Sequence, residues 1–303
     1  MKEKIVLIGK PLFDFYGHDY EFLPPESELD AYTVERYLEK LKNKSEFSEP
    51  GGCTLNIAKH LVKPKKEVYL IGSIGNDEIG EEYKKHAEEK GIKLYLKHAE
   101  ETTGITVNSM KGKCWYYYGA SNFLDETIEE YWNDIIESDM IIVDAYSFTS
   151  PHNLLLEIFE KHPGEKYLIL SGCKKDEFIK KYISPFNFLK NKKIKFEIIF
   201  GNHEEWRSLS EDLIPESNIK VITYPWGCEI IEKHGKKKIQ IVHETISVEN
   251  IYTISAGDVF SGTFISLYVE KYPIEECARE ACKNSFNKIK SNIRKFWRKK
   301  YLK

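Results

Sequence analysis

The sequence lacks a strong charge of either sign and lacks long apolar runs. Its 45 Lys and Arg oppose 48 Asp and Glu, so the formal net charge is -3 over 303 residues. A balance this close to neutral gives no reason to expect a nucleic-acid partner for the chain as a whole. No stretch approaches the roughly 18 apolar residues of a membrane-spanning helix, and the apolar run at residues 5–8 is too short for a signal peptide. We therefore expect a cytoplasmic protein without membrane contact.

Paired cysteines, internal repeats and low-complexity linkers are also lacking. The six cysteines are scattered, and no two form a Cys-x-x-Cys pair. This spacing argues against both a disulfide framework and a structural zinc site. We interpret the cysteines as reduced thiols that mostly fill the core.

Short runs rich in Val, Ile and Leu alternate with segments whose apolar residues recur at helical spacing. Such runs are typical of strands in a parallel sheet that is covered on both faces. The alternation predicts an α/β fold, with a doubly wound, mostly parallel sheet flanked by helices. The predicted strands are 5–8, 68–71, 140–143, 167–170, 196–200 and 220–223, and the predicted helices are 55–62, 79–90, 128–138, 154–162 and 256–268.

Two regions depart from this alternation. Residues 15–50 are polar, with Pro24 and Pro25 in the middle, and residues 92–120 contain strand-like runs joined by short turns. Inserts of this kind form a small sheet or lid across the ends of the main strands. We predict one domain over residues 1–303, with a small β-rich lid made from approximately 15–50 and 92–120.

The most specific local pattern is a turn of small residues that ends on Asp258 and leads into an apolar helix. Backbone N–H groups of Ser255, Ala256 and Gly257 at a helix N-terminus would surround an anion. A carboxylate in the first turn could then accept the proton of a hydroxyl that attacks a phosphoryl group. The alternative is an Asp that only complements the helix dipole.

Three further polar patterns follow predicted strands or open helices. Paired glycines at 51–52 permit close approach of a ligand to the backbone, and Asn56 lies one helical turn further on, within reach of sugar hydroxyls. Asp14 could accept two ribose hydroxyls. Asn202 and Glu205 lie on one helical face, which suits hydrated Mg²⁺. Each pattern also has a plain interpretation, as a loop, a turn residue and a solvated helix start. Ligands of parallel sheets bind beyond the carboxyl ends of the strands, where these patterns are placed.

In order and placement, these patterns resemble the ribokinase-like (PfkB-type) carbohydrate kinases and, within them, the adenosine kinases. Residues 9–14 (Gly-Lys-Pro-Leu-Phe-Asp) are similar to the family's Gly-Asn-Pro-Leu-Leu-Asp, and residues 51–56 (Gly-Gly-Cys-Thr-Leu-Asn) to its Gly-Gly-Ser-Thr-Gln-Asn. The family's Gly-x-Ile-Gly-x-Asp-x-x-Gly turn, Thr-Gly-Thr lid strand, magnesium motif and Gly-Ala-Gly-Asp resemble residues 72–80, 103–105, 201–205 and 255–258.

The resemblance implies a monomeric kinase that uses ATP and Mg²⁺ to convert adenosine into AMP in purine salvage. Asp258 is the implied base for the 5′-hydroxyl, with Ser255, Ala256 and Gly257 in the anion turn. The implied nucleoside contacts are Asp14, Gly51, Gly52 and Asn56. The candidate to stack on the base is Phe148, or Tyr146 beside it. The implied nucleotide contacts are Asn202, Thr223 and Gly227, and the implied magnesium supports are Asn202 and Glu205.

Several residues depart from the family's pattern at the implied site. Ser255 replaces a Gly, Lys10 an Asn and Tyr252 an Asp, and Lys174 lies where adenosine kinases carry a Phe near the base. Pro225 interrupts the Thr-x-Gly nucleotide loop, removing a donor and fixing φ. Two alternatives to adenosine kinase therefore stay open. One is a catalytically impaired kinase-fold protein that binds nucleosides or nucleotides or docks a partner. The other is a related sugar or nucleoside kinase.

The last residues are basic. Residues 283–303 contain nine Lys or Arg and no acidic residue. Apolar residues at helical spacing over 286–297 predict a surface helix with a solvated basic face. The alternative is a tail that contacts RNA or another anionic partner.

Overall fold

The computed structural model describes residues 2–111, 113–149, 152–172, 176–210, 212–233, 238–242 and 253–301. The strands are β1 (Glu3–Ile8), β2 (Leu12–Gly17), β3 (Phe47–Gly51), β4 (Lys66–Gly75), β5 (Lys93–Ala99), β6 (Ile105–Ser109), β7 (Cys114–Tyr117), β8 (Met140–Asp144), β9 (Glu165–Ile169), β10 (Lys195–Asn202), β11 (Glu216–Tyr224), β12 (Gly227–Glu232) and β13 (Lys238–Val242). The helices are α1 (Ala31–Lys44), α2 (Cys53–Leu61), α3 (Glu78–Glu89), α4 (Leu124–Glu130), α5 (Trp132–Ile136), α6 (Asn153–Lys161), α7 (Asp176–Asn191), α8 (His203–Ser208), α9 (Ala256–Tyr268) and α10 (Ile274–Tyr301).

A large sheet forms the centre of the protein. Among the described residues it has nine strands in the order β13-β12-β11-β10-β9-β8-β1-β4-β5. In this order, the seven neighbouring strands β11, β10, β9, β8, β1, β4 and β5 run parallel to one another. β12 and β13 are antiparallel strands at the β11 side of the sheet. Helices flank the sheet, so the predicted fold class is confirmed. Within the described part of the chain, no helix is both long and apolar enough to cross a membrane.

The apolar strand runs supply two core layers, one on each face of the large sheet. Successive side chains of a strand point to opposite faces. On β1, Ile5 and Leu7 accordingly join one hydrophobic cluster, and Val6 and Ile8 join the other. Burial on both faces explains why these strands read as continuous apolar runs instead of alternating ones.

A second sheet of four strands, β3-β2-β6-β7, forms the lid sheet. One of its faces packs its own core, in which Phe13 and Phe15 of β2 meet Val34 and Leu41 of α1. The predicted insert at 92–120 differs from the structure at its start. Residues 93–99 form β5 and pair in parallel with β4, at the edge of the large sheet. Their apolar residues are too few to separate an edge strand from an insert by sequence alone.

The glycine-rich turn at 72–80 joins the two sheets. Asp77 caps α3 through the Gly80 N–H at 2.7 Å, and it accepts the Thr103 N–H at 2.6 Å and the Thr103 hydroxyl at 2.8 Å. Thr103 in turn accepts the N–H of Gly75 at 2.9 Å. This part of the family-like pattern therefore fixes where the lid strand β6 leaves the body.

Candidate active site

The structure brings Asp258 to the glycine turn at the start of α2. Asn56 donates from Nδ2 to Asp258 Oδ2 at 3.0 Å and to Ser255 Oγ at 3.0 Å. Burial raises the pKa of Asp258, and hydrogen bonds from Cys53 and Asn56 partly oppose this. A carboxylate with a raised pKa at a helix N-terminus is suited to accept a proton near neutral pH.

The predicted anion turn at residues 255–257 has an unusual backbone conformation. Ser255 is the N-cap of α9 and has φ 62° and ψ 2°, the left-handed region that favours glycine. Next to it, a Cβ on Gly257 would meet nothing within 4 Å, so the first turn of α9 faces open space. Ala256 is buried, and its carbonyl accepts the Ser285 hydroxyl at 2.9 Å.

Substitutions at Ser255 separate backbone strain from side-chain chemistry. Ser255→Gly relieves about 1 kcal/mol of left-handed strain and loses a hydrogen bond of similar value, so stability changes by less than about 1 kcal/mol. Ser255→Val places a β-branched residue at positive φ and is expected to destabilise by about 2 kcal/mol. Urea unfolding of both variants measures the difference. Equal stabilities would contradict the assigned conformation.

Lys59 adds a positive charge behind Asn56. It lies one turn further along α2, and its Nζ donates to Asn56 Oδ1 at 3.2 Å. Burial lowers the pKa of Lys59 to about 8, although Glu49, Asp14 and Asp258 favour its charged form. Lys59 therefore orients the amide whose other end holds Asp258.

Asp14 projects from β2 on the inner face of the lid sheet, the face that also carries Glu49 and Thr106. Thr106 donates to its Oδ1 at 2.5 Å and Tyr16 to its Oδ2 at 3.2 Å. Burial raises the pKa of Asp14 to about 6, with Glu49 and Asp258 contributing and the two hydrogen bonds opposing. A Cβ on Gly51 would lie 2.0 Å from Asp14 Oδ2, so only glycine permits this approach.

Gly52 completes the turn between β3 and α2. Its φ is 87°, and a Cβ there would lie 2.6 Å from the carbonyl oxygen of Lys10. Glycine at this point therefore allows the end of β1, the lid sheet and α2 to meet. Asp14, Gly51, Gly52, Asn56 and the 255–258 turn form one contiguous site.

The predicted nucleotide and magnesium residues form a neighbouring group at the ends of β10 and β11. Asn202 and Thr223 are paired in register, and Gly227 opens β12. The Asn202 and Glu205 side chains make a reciprocal capping box at the start of α8. Glu205 Oε1 also accepts the Gly172 N–H at 3.1 Å. These side chains act as helix-capping groups, and they fit Mg²⁺ only through its water ligands.

The residues after β9 connect the two groups. Cys53 Sγ lies 3.4 Å from Ser171 Oγ, and the adjacent Gly172 donates to Glu205. The predicted nucleoside contacts and the predicted nucleotide and magnesium residues thus lie at the same end of the large sheet. This is the end formed by the carboxyl ends of the parallel strands, where ligands of such sheets bind.

Phe148 is placed in the hydrophobic core. It is 1% exposed and lies against Phe159 and Phe186, with ring centroids 6.1 Å and 5.8 Å away. In this position it is not available to stack on a base. Lys174 and Tyr252, two departures from the family's pattern, lie outside the described residues.

Lys10 and Asp144 form a buried polar group beneath the site. Lys10 Nζ donates to Asn122 Oδ1 at 2.8 Å and lies 3.9 Å from the Tyr118 ring centroid. Burial lowers the pKa of Lys10 to about 7 and raises that of Asp144 to about 7. Asp144 accepts the N–H and hydroxyl of Ser147 at 3.1 Å and 3.2 Å.

Sequence reasoning missed Thr106, Lys59 and Asp144. Asp144 directly follows the predicted strand 140–143, and Lys59 lies three residues after Asn56 on a helix. The rules that selected Asp14 and Asn56 could therefore have found both. Thr106 gives no such signal, because its contact depends on the register of β2 with β6.

Comparison with known proteins shows the family and the fold. The model of the pfkB family of carbohydrate kinases matches residues 2–285. Adenosine kinase 2 of Arabidopsis thaliana is 24% identical over 270 residues, which cover 77% of this chain and 75% of that protein. The structure of Anopheles gambiae adenosine kinase in complex with P1,P4-di(adenosine-5) tetraphosphate has a TM-score of 0.77 at 17% identity, covering 95% of this chain and 99% of that one. Adenosine kinase from Schistosoma mansoni in complex with 2-fluoroadenosine has a TM-score of 0.74 at 20% identity, covering 93% of each chain.

Proposed function

Because this chain belongs to the pfkB family of carbohydrate kinases, we propose that it transfers the γ-phosphoryl group of ATP to the 5′-hydroxyl of adenosine. The products are AMP and ADP, and the reaction serves purine salvage. The observation that carries the proposal is the convergence of Asp258, Asn56 and Asp14 on one glycine turn beneath the lid sheet. The similarity to adenosine kinases supports adenosine as the substrate.

In this reaction the Asp14 carboxylate accepts hydrogen bonds from the ribose hydroxyls and holds the sugar under the lid sheet. Asp258 takes the proton of the 5′-hydroxyl. The 5′-oxygen bonds to the γ-phosphorus, and the bond from the γ-phosphorus to the oxygen of the β-phosphate breaks, which releases ADP. The N–H groups at the start of α9 stabilise the charge on the transferred group. Asn202 and Glu205 would hold Mg²⁺ through its water ligands, and the ion would supply positive charge that offsets the charge of the ATP phosphates.

The substrate is tested with purified protein, Mg²⁺ and γ-labelled ATP against adenosine, inosine, uridine and ribose. We expect AMP from adenosine and little product from ribose. Preferred phosphorylation of ribose or another nucleoside would assign a related kinase instead. Adenosine binding without turnover, measured by calorimetry, would favour the catalytically impaired alternative. The arguments for that alternative are the departures from the family's pattern at Ser255, Tyr252, Pro225 and Lys174.

The pKa of Asp14 predicts the pH dependence of nucleoside binding. With a pKa of about 6, the carboxyl is ionised above pH 6 and protonated below it. Protonation removes acceptor capacity for the ribose hydroxyls, so affinity is expected to fall up to tenfold per pH unit below about 6. Calorimetric titration of adenosine between pH 4.5 and 8 measures this. A flat profile would argue against ribose binding by Asp14.

A further inference from the structure

The second half of α10 leaves the core of the large sheet and reaches the lid sheet. Near the start of α10, Cys277, Ala278 and Ala281 pack in the core beside the large sheet. Further along, Phe296 is 5% exposed and belongs to a separate cluster with Tyr16. One helix therefore contacts both the body and the lid sheet.

An aromatic cluster forms the contact with the lid sheet. The Phe296 ring lies 5.0 Å from Phe47 and 6.4 Å from Tyr16, and Phe47 stacks on Tyr16 at 4.5 Å. Phe47 and Tyr16 are opposite each other on β3 and β2. Phe296 thus covers a cross-strand pair on the inner face of the lid sheet.

Ion pairs extend the same contact. Lys295 Nζ lies 2.6 Å from Glu49 Oε2, and Lys288 Nζ lies 3.6 Å from Glu49 Oε1. Burial raises the pKa of Glu49, but the lysines outweigh this and the pKa lies below its usual value. Two of the basic residues near the C-terminus are therefore engaged by the lid strand β3.

The helix also holds the anion turn. Asn292 donates to the carbonyl of Ile254 at 3.0 Å, and Ser285 donates to the carbonyl of Ala256 at 2.9 Å. These carbonyls flank Ser255, three residues before Asp258. α10 therefore contacts both the turn that leads into Asp258 and the lid sheet that carries Asp14.

We propose that the second half of α10 is a strap that ties the inner face of the lid sheet to the start of α9. Tyr16, which donates to Asp14 Oδ2, passes this restraint to the nucleoside site. Phe296 and Tyr16 are then positioning residues. The restraint on the lid sheet does not depend on the activity, whereas the effect on the nucleoside rests on the proposed function.

Hydrogen exchange of the full chain tests the strap without any ligand. In Phe296→Ala, peptides over 12–17 and 47–51 are expected to exchange at least about tenfold faster, while those over 140–144 stay unchanged. Phe296→Leu should restore most of the protection, and Lys295→Ala should give a smaller, two- to threefold increase. The control is Tyr272→Ala, which removes an aromatic ring that is 44% exposed. Unchanged lid peptides, or equal acceleration in both sheets, would overturn the strap.

Tyr16→Phe tests the link to the nucleoside. The variant keeps the ring and removes the donor to Asp14, so lid exchange should stay as in wild type. KM for adenosine should rise about tenfold and kcat should change less than about twofold. A KM within twofold of wild type would overturn the positioning role. If wild type phosphorylates no adenosine, the proposed function fails, and the exchange experiment still decides the strap.

Discussion

Replacing Asp258 with Asn is expected to reduce kcat for AMP formation by about 10²- to 10⁴-fold. An amide cannot take the proton of the 5′-hydroxyl, although it can accept the hydrogen bond that Asn56 donates to Oδ2 at 3.0 Å. The fold and the nucleoside site should therefore persist. A coupled ADP-release assay gives kcat, and calorimetry is expected to give an adenosine affinity within about threefold of wild type.

Glu276→Gln is the matched control for this variant. Glu276 lies in the first turn of α10 and is exposed. Like Asp258, it complements the dipole of its helix, but it lies outside the candidate active site. Wild-type turnover is expected for it. If Asp258→Asn also keeps wild-type turnover, Asp258 only complements the dipole of α9 and the base lies elsewhere.

Replacing Asp14 with Asn is expected to weaken adenosine binding by about 10²-fold, because hydrogen bonds to a charged group are worth about 1.5–3 kcal/mol. The native carboxylate accepts from Thr106 and Tyr16 in a buried setting. An amide offers one acceptor oxygen in place of two, and its NH₂ group would meet one of these donors. The loss should appear in KM, with kcat at saturation reduced much less.

Asp19→Asn separates this effect from a general loss of negative charge in the lid. Asp19 follows β2 and pairs with Lys111 at the protein surface, and its side chain is 35% exposed. Its replacement should leave KM within about twofold of wild type, as is usual for exposed ion pairs. Equal effects of Asp14→Asn and Asp19→Asn would mean that Asp14 makes no specific contact with the sugar.

The architecture could be predicted because each strand and helix is indicated by the spacing of apolar residues within its own segment of the sequence. Val, Ile and Leu runs identify the buried parallel strands. The strand-end rule then selects Asp14, which follows the predicted strand 5–8, and Asn202, which follows the predicted strand 196–200. Asp258 and Asn56 were selected because small residues open their helices. All of these side chains lie at one edge of the large sheet, in two groups that Ser171 and Gly172 join.

The remaining features depend on long-range register. Thr106 meets Asp14 because β2 and β6 are parallel neighbours, and no local pattern encodes that pairing. The contact between Phe296 and the lid sheet depends on the length and direction of α10. In the sequence, Phe296 is only one apolar position of a basic helix. Phe148 follows a strand end like the site residues, but its ring turns inward to Phe159 and Phe186.

A crystal structure of the protein grown with adenosine tests the central claim most directly. We predict the ribose hydroxyls on Asp14 and the 5′-oxygen within about 3 Å of the Asp258 carboxylate, beside the N-terminus of α9. Adenosine bound away from these two carboxylates would contradict the assignment. An ion pair between a lysine and Asp258 that keeps the ligand away from this carboxylate would also contradict it.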